Sequence, residues 1–256
     1  MTAPTPHAIQ RYGWVPDLPD HRDLLFAAAP ERGPLPAWVD LRGGCPPVYD
    51  QGNLGSCTAN AIAAAYQFEQ RAQKAPDWVP SRLFIYYNER VIEHTVDSDS
   101  GAMIRDGVKS VAKQGVCPET AWPYLIEAFA TRPPIDAYRA ALQNRALLYR
   151  RVPRSLTQMK GCLAAGAPFI FGFSVYASFE SVEVARTGLV PMPAGGEELL
   201  GGHAVLAVGY NDESQRFLVR NSWGPGWGSA GYFSMPYAYL LDRGLASDFW
   251  TISKVS

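Results

Sequence analysis

No run of 18 apolar residues occurs in this 256-residue chain, so no membrane-spanning helix is expected. An excess of one charge is lacking too. Lys and Arg total 23 against 24 Asp and Glu, a net charge of -1, which marks no electrostatic footprint for nucleic acid. The start, Met1 to His7, has no basic region followed by an apolar core. No ordinary signal peptide is therefore expected, which leaves a cytoplasmic or a non-classically secreted protein. Cysteine is scarce: Cys45, Cys57, Cys117 and Cys162, with no Cys-x-x-Cys pair. That argues against a zinc site, and no metal or cofactor is expected. A free Cys57 leaves room for at most one disulfide, which suits a reducing compartment better than a disulfide scaffold. Histidine is equally rare: His7, His21, His94 and His203.

What is present is a large apolar share, 47%, enough for one large domain or two fused lobes, most simply monomeric. The most informative run is Gln51-Gly-Asn-Leu-Gly-Ser-Cys57. Strong helix formers follow the cysteine, so Cys57 opens a helix over about 57–73, with Ser56 as its expected cap. Ile62, Ala65, Tyr66, Glu69 and Ala72 predict one apolar stripe on it. A thiol at a helix N-terminus feels the positive end of the dipole, which favours the nucleophilic thiolate.

A cysteine nucleophile needs a base and a group to orient that base. His7 and His21 lie in a Pro-rich stretch. His94, among Glu93, Asp97 and Asp99, reads as solvated surface. His203 differs: it opens an apolar run to Tyr210 of strand length, after Gly201 and Gly202, which allow close backbone approach. Taken alone, a histidine on an apolar strand is more often a core residue. Asn221 follows 18 residues later in Asn221-Ser-Trp-Gly-Pro-Gly-Trp-Gly228. Its amide oxygen is suited to hold an imidazole, and Trp223 to keep water from that bond.

Together these segments, with Leu35-Pro-Ala-Trp-Val-Asp-Leu-Arg42, resemble the papain family of cysteine peptidases, in a bacterial branch, over about residues 36 to 250. The resemblance implies an α+β, two-lobe fold. One lobe is helical (about 50–150), the other β-barrel-like (about 151–256), and the active-site cleft lies between them. It implies Cys57 as nucleophile, His203 as base, Asn221 as its orienting group and Gln51 as an oxyanion donor. Peptides or proteins are the implied substrates. Gly101, Met103, Gly201, Gly202 and Trp223 are the implied substrate-binding residues. Three positions depart from the family pattern. Leu54 stands where a disulfide cysteine is usual, Thr58 where an aromatic follows the nucleophile, and Gly202 where an acidic residue often precedes the histidine. Two alternatives remain at this point: another Cys-dependent hydrolase or acyltransferase, and an inactive peptidase scaffold that binds.

Further helices are expected from Ser81 to about Val91, from Met103 to Gln114 with Gly115 as terminator, and over 156–165. Strands are expected over 168–175, 203–210, 216–220, 231–235 and 249–252. Residues 1–35 hold six prolines. They read as an extended, prosegment-like arm anchored by Tyr12, Trp14 and Leu18, with Leu24, Leu25 and Phe26 also too apolar for a free tail. Such an arm would restrict access to the cleft.

Overall fold

The computed structural model describes residues 12–28 and 34–256. Helices fill the first half of the body: α1 Cys57–Ala72, α2 Arg82–Glu93, α3 Ile104–Gln114 and α4 Ile135–Ala141. Local sequence explains their ends. Ser81 caps α2, its hydroxyl accepting from the amide of Phe84 at 3.1 Å. Gly115 ends α3 at φ 83°, a backbone state that side chains rarely adopt. Ser56 occupies the N-cap position of α1 but does not cap it. Its hydroxyl is taken by the Tyr124 hydroxyl at 2.5 Å and the Asn60 amide at 3.0 Å.

The second half supplies most of an antiparallel sheet. Its strands are β1 Trp38–Asp40, β2 Ala146–Arg151, β3 Phe169–Tyr176, β4 Leu199–Asn211, β5 Arg216–Arg220, β6 Tyr232–Pro236 and β7 Ala246–Val255. The order is β2-β7-β3-β4-β5-β6, with β1 paired to β4, so the sheet is open rather than a closed barrel. Short helices α5 Leu156–Ala164, α6 Val182–Thr187 and α7 Tyr237–Leu241 accompany it. No helix among the described residues is long and apolar enough to cross a membrane.

Strand β4 explains its own apolar run. Ala204, Leu206 and Val208 face a core shared with α1, whereas Val205 and Ala207 face a second core built on Phe169, Phe171, Phe173 and Phe217. A strand covered on both faces loses the polar alternation of a half-exposed one. The same enclosure corrects the single stripe expected on α1. Every residue from Cys57 to Gln70 is buried, because α2 and α3 pack on α1 from one side and β3, β4 and β7 from the other. Its many alanines permit that close approach. The elements absent from the sequence reading (α4, α6, α7, β1 and β2) are short, three to seven residues each, too few to show a sustained period.

Candidate active site

Cys57 is the first residue of α1 and is fully buried. The backbone of Ala204, next to His203 on β4, hydrogen-bonds its sulfur, so the helix start and this strand meet at the thiol. His203 is also fully buried. Its Nε2 lies 2.8 Å from Asn221 Oδ1, and that oxygen also accepts from the Ser222 amide at 2.8 Å. An amide oxygen can only accept, so the imidazole proton sits on Nε2 and Nδ1 keeps its lone pair for a proton. Trp223 stacks on the imidazole, ring centroids 5.0 Å apart, and Phe173 meets it edge-on at 5.7 Å.

Gln51 joins the same network. Its Oε1 accepts from the Ser222 hydroxyl at 2.6 Å, and its Nε2 donates to the Leu54 carbonyl at 2.9 Å. The side-chain amide carries two hydrogens, and Leu54 takes one of them. Asp99 holds the Gly55 amide at 3.1 Å and accepts from the Tyr86 hydroxyl. That corrects the solvated reading at Asp99, whereas Asp97 is exposed as expected. Glu93 likewise accepts from the Met103 amide at 2.7 Å, while His94 and His21 are exposed and His7 lies outside the described residues. Thr58 donates to Glu89 Oε1 at 2.6 Å, a fully buried carboxyl whose pKa burial raises well above its ordinary value.

The arm crosses this site. Trp14 N–H donates to the Gly202 carbonyl at 2.9 Å; Ala102 N–H donates to the Gly13 carbonyl at 2.8 Å; Val15 N–H donates to the Ala102 carbonyl at 3.0 Å. Gly101, Gly201 and Gly202 therefore all border the arm. At Gly101, with φ 72°, a Cβ would lie 2.2 Å from the Gly13 oxygen, so no other residue fits. The Tyr12 ring packs against His203 and Trp223 at 6.1 and 6.5 Å, and its hydroxyl donates to Glu180. The Trp14 indole lies over Gly172 and Gly202 and donates to Asp248 Oδ2 at 3.2 Å. Ala102, Gly172 and Asp248 were not singled out from sequence. For Asp248 the signal was present: a carboxylate inside the apolar strand Ala246–Val255.

Leu18 is 67% exposed, which corrects its role as an anchor, and Leu24 and Leu25, read as too apolar for a free tail, are 66% and 63% exposed. Polar groups hold this part instead. Asp17 accepts from the Arg105 amide at 3.0 Å and the Trp250 indole at 2.8 Å, and Asp23 pairs with Arg105 at 2.6 Å. Burial, and then the nearby Asp248, push the Asp17 carboxyl up to about 6.

Burial likewise pushes the Cys57 thiol up to about 12, outweighing the amides of Ala204 and Gly13 that face the sulfur. Burial thus opposes the thiolate expected from the helix dipole. All four cysteines are free thiols and buried, so the single disulfide that the sequence allowed is absent.

Comparison with known proteins shows the family and the fold. A model of the papain family cysteine proteases matches residues 35–248, leaving the arm outside. A peptidase C1-like protein of Acanthamoeba polyphaga mimivirus is 49% identical over 216 residues, covering 81% of this chain and 70% of its own. Cysteine proteinase 1 of Entamoeba histolytica is 27% identical, over 78% of this chain and 63% of its own length. Among solved structures, the cysteine protease xylellain from Xylella fastidiosa superposes with a TM-score of 0.88 at 47% identity, covering 96% of both chains. A procathepsin L 3 from Tenebrio molitor larval midgut shares the fold at TM-score 0.70 and 21% identity, over 90% of this chain and 73% of its own. With a family match across most of its length and similarity to xylellain at nearly half-identical sequence, this chain belongs to the papain family of cysteine proteases.

Proposed function

We propose that the protein is an endopeptidase that uses Cys57, His203, Asn221 and Gln51, and that residues 12–28 gate its cleft. The observation that carries this reading is the continuous chain from His203 through Asn221 and Ser222 to Gln51, set against the thiol at the start of α1. In the proposed sequence His203 Nδ1 takes the thiol proton and the sulfur attacks the scissile carbonyl carbon. The carbonyl oxygen becomes an oxyanion, met by the Cys57 amide and the second hydrogen of Gln51 Nε2. The imidazolium then protonates the departing amine, and water releases the acyl group by the reverse exchange. Asn221 keeps the imidazole in the tautomer this requires. A peptide substrate would lie between Ala102 and Gly202, beside Gly101, Met103, Gly201 and Trp223, where the arm now runs.

The arm occupies that path without offering a bond to cleave. Its Gly13 presents an amide to the sulfur, while the Gly13 carbonyl turns away to Ala102. Its direction also opposes catalysis. The leaving amine departs on the imidazole side, so the C-terminal part of a substrate passes His203 and Trp223. In the arm, that place belongs to Tyr12, the N-terminal end of the described segment. A chain of reversed polarity places no carbonyl carbon for attack.

The test is labelling by an epoxysuccinyl peptide, with the adduct mapped by mass spectrometry, alongside hydrolysis of fluorogenic peptides. An adduct on Cys57 and new amino termini are expected. Release of ammonia, or acyl transfer without hydrolysis, would point to a different Cys-dependent enzyme. Gln51→Ala is expected to lower kcat by about 10²–10³-fold with a much smaller change in KM, the scale for removal of one oxyanion donor. An unchanged kcat would exclude the role.

Gating should depend on pH through Asp17. Its pKa in the docked arm, about 6, lies above that of a free aspartate, so docking favours the protonated form. That contribution is complete below the ordinary aspartate value and is lost as pH rises through about 6. Labelling of the full chain, divided by that of an arm-deleted chain to remove the thiol's own titration, should rise across this window. Asp17→Asn should flatten the ratio. A ratio already flat in the parent protein would show that Asp17 does not control the arm.

A further inference from the structure

Beyond Trp14 the arm enters a second site that the chemistry at Cys57 does not use. Arg105 and Lys109 stand one turn apart on α3, which puts them on one face. Arg151 ends β2 beside them. Asp23 of the arm is held by all three: 2.6 Å from Arg105, 3.7 Å from Lys109 and 3.3 Å from Arg151. Asp20 adds a second contact to Lys109 at 3.4 Å, and Asp17 takes the Arg105 amide at 3.0 Å. The Trp250 ring makes an aromatic floor, with the guanidinium carbons of Arg105 and Arg151 5.8 and 5.9 Å from its centroid.

The body of the enzyme does not neutralise these cations by itself. Asp248 pairs with Arg151 at 3.1 Å, and Asp106 interacts with Arg105 and Lys109, but the close, forked contact to Arg105 comes from the arm. The Arg105 and Asp23 side chains are only 6% and 3% exposed, so a guanidinium has been taken out of water for a carboxylate supplied by the arm. Once that carboxylate leaves, the groove presents cations in a low-dielectric setting, where an incoming carboxylate is held more strongly than on open surface. The groove is continuous with the cleft, because Val15 pairs with Ala102 only two residues before Asp17.

We propose that Arg105, Lys109 and Arg151 form a binding site for an acidic stretch of the substrate lying N-terminal to the bond that is cleaved. The arm fills this site with Asp20 and Asp23. The side follows from the leaving amine: residues C-terminal to the bond pass His203, so N-terminal residues extend along the path of Trp14 to Asp23. This inference rests on the reading of the arm as a gate.

The probe is a fluorescein-labelled peptide with two Asp three positions apart upstream of its cleavage site, the spacing of Asp20 and Asp23. A matched peptide carries Lys at those positions. Binding is read by anisotropy to the full-length chain with Cys57→Ala, Trp14→Ala, Asp20→Asn and Asp23→Asn, which prevents turnover and removes the arm's anchors. The Asp peptide should bind about tenfold more tightly than the Lys peptide, as two partly desolvated charge pairs would give, and the advantage should shrink with salt. Adding Lys109→Gln and Arg151→Gln should remove most of it. Equal affinities, or a preference for Lys, would overturn the site while leaving the gate intact. Failure of both peptides to bind, where the same arm substitutions with Cys57 retained accelerate probe labelling, would overturn this inference and leave the gate; labelling that does not accelerate would overturn the gate and this inference together.

Discussion

In Cys57→Ala, peptide hydrolysis should fall on the order of 10⁶-fold, the scale for loss of a nucleophile that acts as a unit with its base. The fold should survive. The change removes one heavy atom from a fully buried position and costs about 1 kcal/mol or less by the behaviour of small core truncations. The other cysteines provide the control. Cys45 and Cys162 direct their sulfurs at the carbonyls of Leu41 and Ala167, 3.6 and 3.3 Å away, and Cys117 is buried in the core beside α1. Their alanine variants should turn over peptides at close to the parent rate, whatever they lose in thermal stability. Residual hydrolysis at the parent level in Cys57→Ala, with melting unchanged, would exclude the mechanism. Loss of turnover in a well-folded Cys162→Ala would do the same damage from the other side.

Deleting residues 1–33 should accelerate both probe labelling and peptide hydrolysis. The size follows from what holds the arm. Trp14 donates to Asp248 and Asp23 forks onto Arg105, both in largely buried settings. Hydrogen bonds to charged groups contribute about 1.5–3 kcal/mol each, and every 1.4 kcal/mol is tenfold in the open fraction. Two such contacts give an expected gain of roughly 10²–10⁴-fold. The thiol should change with them: with the sulfur returned to solvent and facing the imidazolium, its pKa should drop far below the arm-covered value of about 12. Iodoacetamide reactivity against pH measures this directly, and the full chain should show the later rise. A cost in stability is expected as well, because Arg105 loses its carboxylate. Unchanged labelling with a lower Tm would show that the arm is only a structural strap.

The sequence alone singled out Gln51, Cys57, His203 and Asn221 as the proposed set, because each proposed role demands a particular functional group. It also carried α2, α3, α5 and the strands around His203, whose caps and runs of apolar residues are local signals. It did not carry how α1 is packed. Helical periodicity records one buried face, and a helix enclosed from both sides leaves no contrast to read. Nor did it carry which arm residues dock. Leu18 looked like an anchor by hydropathy, and Leu24 and Leu25 looked too apolar for solvent, yet the work falls to Asp17 and Asp23, since their partners Arg105, Trp250 and Arg151 lie far away in the chain. Chemistry intrinsic to a side chain was therefore legible from residue order. The protonation of that side chain, and the surface it faces, were decided by the tertiary structure, because desolvation and charge pairing are set by neighbours that only folding brings together.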